Sequence, residues 1–304
     1  MTIFTVFFQM LSLLIMIGCG YVVAKKGMMD AHTNSQLSEV IVKLLNPLLF
    51  FSSAANSVGL IPLDTMALTA LIAIGMFVIF IATGILLSPL FDRHPDQQKI
   101  FQMMFVFSNL GFIGIPVVNS ILGAEYVVYV TEFLLVYNLV FYTYGVAVMD
   151  GHFSMDSLKA MVNPGTVCSL AAILVIVLEI SIPEFIKTAI TYLGNAASPM
   201  ALISVGYTLA CSDLKKIFGE PRLYIFSLIK LLILPLLMLP LLRFVTKDPA
   251  LISVCMVLFG MPIGNMPLML GNQRGIDGST CSAAIILSTV LCVFSVPIIV
   301  AFVR

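Results

Sequence analysis

Ten apolar stretches follow one another along this chain, and no other feature constrains its fold as strongly. They run from Ile3 to Ala24, Val40 to Leu60, Thr65 to Leu87, Ile100 to Leu122, Tyr126 to Met149, Thr166 to Ile182, Phe185 to Cys211, Leu223 to Leu242, Ala250 to Leu270 and Thr280 to Val303. A helix needs about 20 largely apolar residues to cross the hydrocarbon core of a bilayer. All ten stretches meet that need, and the connections between them are too short to hold a soluble domain. Composition agrees: 60% of the 304 residues are hydrophobic and 10% are charged, against roughly 25% charged in a soluble domain. The expected fold class is an all-α polytopic membrane protein with ten transmembrane helices. Net charge is zero and no basic or acidic run occurs, so nothing in the charge pattern suits a nucleic-acid partner. Six cysteines (Cys19, Cys168, Cys211, Cys255, Cys281, Cys292) stand singly, and three histidines (His32, His94, His152) lack a second ligand at metal spacing. Neither a disulfide, a metal site nor a cofactor is expected. The opening MTIFTVFFQMLSLLIMIGCG has no basic residue before its apolar run and continues to Lys25 and Lys26, which reads as a retained first span rather than a cleaved signal.

Orientation follows from the basic residues of the loops. Lys25, Lys26, Arg93, Lys99, Lys159, Lys215, Lys216, Arg222 and Arg274 fall on one side, and Lys187, Arg243, Lys247 and Arg304 on the other. The richer side is expected to face inward, which puts both termini on the outer, periplasmic side.

Prolines reveal a weak internal repeat. Asn46-Pro47 in the second span and Ser198-Pro199 in the seventh lie 152 residues apart, while Pro116 in the fourth and Pro267 in the ninth lie 151 apart. Around the second pair, FSNLGFIGIPVV and LFGMPIGNMPLML share glycines, small residues and an asparagine before the proline, with Pro262 adding a second kink to the ninth span. Two halves, residues 1–150 and 151–304, thus each hold five spans, an odd number. The second half must enter the membrane in the opposite sense to the first, the inverted-repeat plan of secondary transporters.

The fourth and ninth spans carry residues that weaken a helix interior, by roughly 1 kcal/mol for each Gly and 3 for Pro. A break at mid-membrane frees N–H and C=O groups that lipid cannot satisfy, so it has to line a protein-enclosed cavity. Pro116 and Pro267 are suited to open the second half-helices, where a missing N–H costs nothing. The positive N-terminal ends of those half-helices then converge and form an anion site.

At these residues the chain resembles the auxin efflux carrier family, whose bacterial branch is described as malonate, malate or related carboxylate transporters. The motifs are NPLLF, SNLGFIGIP, SPMALISVGYTL and MPIGNMPLMLGNQRGIDGSTCSAAIILSTVLCVFSVP, in family order over nearly the whole chain. The resemblance implies two inverted five-helix halves, broken and crossing fourth and ninth helices around the substrate, a scaffold or homodimer face elsewhere, and an inner (plasma) membrane location. It places the crossover at Pro116 and Pro267 and the polar fourth-helix residue at Asn109. Gly260 takes the ninth-span position equivalent to Asn109, and Asn265 supplies an amide nearer the proline. The long cytoplasmic loop of the plant branch is reduced here to Asp150–Lys159.

The candidate substrate-binding set is Asn46, Asn109, Gly111, Gly114, Pro116, Asn138, Tyr142, Asn265 and Pro267, with Pro47, Pro199 and Pro262 as kinks. The asparagines either meet substrate or bond backbone freed by the breaks. Asn138 and Tyr142 stand one turn apart on one face and either line the cavity or join helices. Glu132, six residues into the fifth span, either carries a coupling proton or reaches the outer interface. Lys43 and Lys230 are expected to snorkel. Four methionines of the ninth span (Met256, Met261, Met266, Met269) fit apolar packing as well as soft-metal binding. No nucleophile with a base or paired mid-membrane carboxylates point to an enzyme. The function expected is a carrier for a small organic anion, a mono- or dicarboxylate, with coupling to H+ or Na+ left open; the alternative is a passive anion channel on the same scaffold.

Overall fold

In a computed structural model the described residues are 3–59, 62–152, 159, 162–211 and 219–303. Lys215, Lys216, Arg304 and most of the Asp150–Lys159 connection lie outside them. Among the described residues the chain is all helix, without a strand. The helices are α1 Ile3–Lys25, α2 Ala31–Ser57, α3 Leu63–Phe91, α4 Pro95–Val106, α5 Leu110–Ile121, α6 Ala124–Asp150, α7 Pro164–Val177, α8 Glu184–Asn195, α9 Ala197–Ala210, α10 Pro221–Val245, α11 Pro249–Phe259, α12 Met266–Gln273 and α13 Ser279–Val303.

Six of them (α1, α2, α3, α6, α10, α13) are long and apolar enough to cross a membrane unbroken. The fourth and ninth expected spans are each in two pieces, α4 with α5 and α11 with α12. The seventh is divided at Ala196 into α8 and α9, and the sixth is the short α7. The second span starts at Ala31, earlier than hydropathy suggests, because Asp30 caps it: its side chain accepts from the Thr33 N–H at 2.7 Å. That bond satisfies an orphan donor and makes a polar first turn helical.

Prolines inside these helices are accommodated rather than breaking them. In α2, α5 and α10 a π turn (Ile41–Leu45, Leu110–Gly114, Ile229–Ile233) is followed by one residue and then Pro47, Pro116 or Pro235. The residue between, Asn46, Ile115 or Leu234, donates five back, to Ile41, Leu110 or Ile229. The wider turn makes room for a ring that would otherwise strike the carbonyl four residues earlier. Asn46-Pro47 therefore does not interrupt α2. Pro116 does not open the second half of the fourth span either; that half starts six residues earlier, at Leu110. Pro267, second residue of α12, stands where the sequence suggests.

Small residues let helices meet backbone to backbone. A Cβ on Gly20 would lie 2.1 Å from the Ile203 carbonyl oxygen, and one on Gly206 would lie 2.0 Å from that of Ile17. Thus α1 and α9 cross at contact distance. Gly194 of α8 presses likewise on Leu49 of α2, where a Cβ would come within 2.8 Å of backbone. At one end of the molecule the Arg274 guanidinium grips Asp150 with two bonds of 2.7 and 2.9 Å, and Arg222 pairs with Asp92 at 2.8 Å. At the other end Arg243 donates to the carbonyls of Phe302 and Val303. The sequence had assigned Arg222 and Arg274 to one side and Arg243 to the other.

Candidate functional site

Helix α4 stops at Val106 and helix α11 at Phe259, and the two interruptions meet. Ser108 and Ile263 form an isolated antiparallel bridge. The Asn109 N–H donates to the Pro262 carbonyl at 2.7 Å, and the Gly264 N–H to the Phe107 carbonyl at 2.9 Å. A Cβ on Gly264 would stand 3.1 Å from the Ser108 carbonyl oxygen, so glycine allows this approach. Other groups freed by the breaks are also satisfied, as a membrane interior demands. The Leu110 N–H bonds the Ser108 carbonyl at 2.9 Å, and the Ile263 N–H bonds the Ser288 hydroxyl at 3.2 Å.

Asn109 caps α5, its side-chain oxygen accepting from the Phe112 N–H at 3.0 Å. Asn265 is the corresponding residue before α12, yet its side chain makes no capping bond and is exposed. The structure therefore matches Asn109 with Asn265 and not with Gly260, which ends α11.

Lys230 contradicts the expectation that it snorkels. It is fully buried at the π turn of α10, donates to the Phe105 carbonyl in the last turn of α4, and stacks its amino group 4.0 Å from the centre of the Phe80 ring. The bond suits an N–H donor at a helix C-terminus, where carbonyls left free by the break need a partner.

Beside the paired breaks is a cavity of about 350 Å³. Six residues of the candidate set line it together: Asn46, Asn109, Gly111, Asn138, Tyr142 and Asn265. Gly114, Pro116 and Pro267 are buried behind it and shape backbone instead; a Cβ on Gly114 would meet Leu258 at 3.4 Å. Pro262 contributes its carbonyl to the pairing, and Pro199 lies in the first turn of α9. Sequence reasoning missed two lining hydroxyls, Ser108 and Ser169. Each is at most 2% exposed and its Oγ has no hydrogen-bond partner. A smaller cavity of about 100 Å³ also reaches Asn109, Phe112 and Asn265, with Ser38, Ser204 and Thr289 on its far walls.

Glu132 lies in neither cavity. It is 4% exposed, so it does not reach an interface, and its Oε2 has no partner. Its neighbourhood is the packing of α6 on α11, where the Phe133 and Phe259 rings are 6.2 Å apart. Among the described residues no group of three His, Cys, Asp or Glu side chains is placed to hold a metal.

A family model described as membrane transport protein matches residues 5–154 and 149–300. The chain is 26% identical over 295 residues to a Rhizobium meliloti protein named "Putative malonate transporter", covering 91% of this chain and 89% of that protein. It is also 26% identical over 300 residues to a Methanothermobacter thermautotrophicus protein named "Uncharacterized transporter", covering 95% of each.

Proposed function

We propose that this chain, which belongs to the membrane transport protein family of auxin efflux carriers, is a secondary carrier that moves a small organic anion by alternating access around its paired helix breaks. A transporter function follows from the family; the anion, the mechanism and the site are our reading. The observation that carries it is the meeting of Phe107–Asn109 with Pro262–Gly264, next to a cavity into which both Asn109 and Asn265 open. The two helices that resume there, α5 and α12, bring N-terminal ends worth about +0.5 charge each, and α4 and α11 bring C-terminal ends worth about −0.5 each. These four contributions cancel to first order. The Lys230 amino group, donating to the Phe105 carbonyl, covers one of the two negative ends and so tips the balance toward an anion.

The order of elements supports two inverted repeats, residues 1–150 and 151–304. Helices α4 and α11 each begin with a proline, Pro95 and Pro249, and each stop at the pairing. Pro89 within α3 and Pro240 within α10 add another pair 151 apart. In this arrangement α4–α5 and α11–α12 are the crossing helices, and both termini face the periplasm of a bacterial inner membrane. Glu132, buried with a free oxygen, is the candidate for coupling to protons.

The test is uptake of labelled mono- and dicarboxylates into proteoliposomes under imposed pH and sodium gradients. A carrier shows faster uptake when unlabelled substrate waits on the far side. Flux without that acceleration identifies a channel, and the absence of any carboxylate flux removes the anion reading.

A further inference from the structure

We infer that Lys43 is the specificity-determining residue of the larger cavity, the group that makes it select dicarboxylates over monocarboxylates. The inference rests on the carboxylate reading above and adds which carboxylates are held.

The cavity takes polar groups from the paired breaks and a cation from α2. The breaks bring the Asn109 and Asn265 amides and the unpartnered, 2% exposed Ser108 hydroxyl. One carboxylate is accommodated there, at the N-terminal ends of α5 and α12. Ser169 of α7 lines the same cavity and offers a second unpartnered hydroxyl, 1% exposed. Two buried hydroxyls with nothing to bond mark a place where a polar ligand supplies the missing partner. Among the described residues lining this cavity, Lys43 is the sole charged one. A single carboxylate held at the breaks leaves this cation of a different helix unmatched, whereas a ligand with two carboxylates can meet both.

Lys43 is also free to take the role. Its ammonium pairs with Glu39, one turn earlier on α2, and both side chains are well exposed, at 59% and 58%. An exposed pair of this spacing is weak and easily exchanged. A buried partner would hold the lysine, and Lys230 illustrates that case. The π turn Ile41–Leu45 carries Lys43 and leads directly to Asn46, which lines the same cavity. One irregular turn therefore presents a cation and an amide to one ligand.

The experiment measures displacement constants of malonate and acetate on the purified full chain reconstituted in lipid, for the parent, Lys43→Met and Lys43→Arg. Methionine keeps the length and apolar stem of the side chain and removes the charge. The ratio of malonate to acetate affinity should fall at least tenfold in Lys43→Met and return to within threefold of the parent in Lys43→Arg. Equal losses for both ligands, or an unchanged ratio, overturn the inference while the carboxylate reading survives. If the parent binds neither compound, nor any other mono- or dicarboxylate, both fall together. Thermal melting of each variant separates a folding defect from a binding defect, and Glu39→Gln, which releases Lys43, should hold malonate at least as tightly as the parent.

Discussion

A lysine without exposed surface, an asparagine that caps a helix and an asparagine that caps nothing lie around the paired helix breaks, and their different partners predict different phenotypes. Lys230→Met leaves the Phe105 carbonyl buried and unsatisfied, a loss on the order of 1–3 kcal/mol, while sparing the removed amino group its own desolvation. We expect a lower melting temperature in detergent and weaker anion binding; a variant that melts and binds as the parent does would show that the lysine does not hold the break. Asn109→Ala removes the cap of α5, worth about 1 kcal/mol, together with an amide of the cavity, so stability and affinity should both drop. Asn265→Ala removes only the amide, so affinity should fall roughly tenfold per 1.4 kcal/mol lost at unchanged melting temperature. Parallel calorimetry and binding measurements on the two variants decide the matter, and identical behaviour would refute the distinction. The sequence pointed to both asparagines because an amide in a membrane span needs a partner. It misplaced Lys230 because length and an apolar setting suit snorkelling and burial equally, and only the vacant Phe105 carbonyl, supplied by a break 125 residues away, separates them.

At the scale of elements, proline positions were legible and their consequences only partly so. Four spans marked by glycine and proline do depart from straight α-helix, yet Pro47 and Pro116 are absorbed by π turns, and the fourth span breaks at Phe107–Asn109. The break is fixed by pairing with Pro262–Gly264, a tertiary contact that no local pattern encodes. Hence Pro116→Ala, which restores an N–H within a helix that already continues through the site, should reduce transport by less than Gly264→Ala. The latter places a methyl 3.1 Å from the Ser108 carbonyl oxygen and 3.2 Å from that of Phe107, forcing the paired segments apart. Initial uptake rates of the two variants at equal protein level test the order, and a larger defect in Pro116→Ala would return the proline to the centre of the design.

For the whole molecule, hydropathy identified a polytopic helical bundle, and the basic residues grouped its ends as the ion pairs of Arg222 and Arg274 join them. The six uninterrupted spans were legible for that reason. The other four were harder: the fourth and ninth are divided where they pair with each other, the seventh is divided at Ala196, and the sixth is the short α7. If the termini face outward, cysteines at Gly59 and His152, at opposite ends of the described helices, should react with an impermeant maleimide from opposite sides of the membrane. Labelling of both from outside would overturn the topology. The backbone pairing at Ser108 and Ile263 also has a consequence for biosynthesis. These residues are 155 positions apart (263 − 108), so at 5–20 residues per second the first break leaves the ribosome roughly 8–30 s before its partner exists. Through that interval its peptide groups need a temporary host, whether translocon, chaperone or water. A chain ending before Pro262 would keep that need permanently, so the first break is completed only when the second arrives.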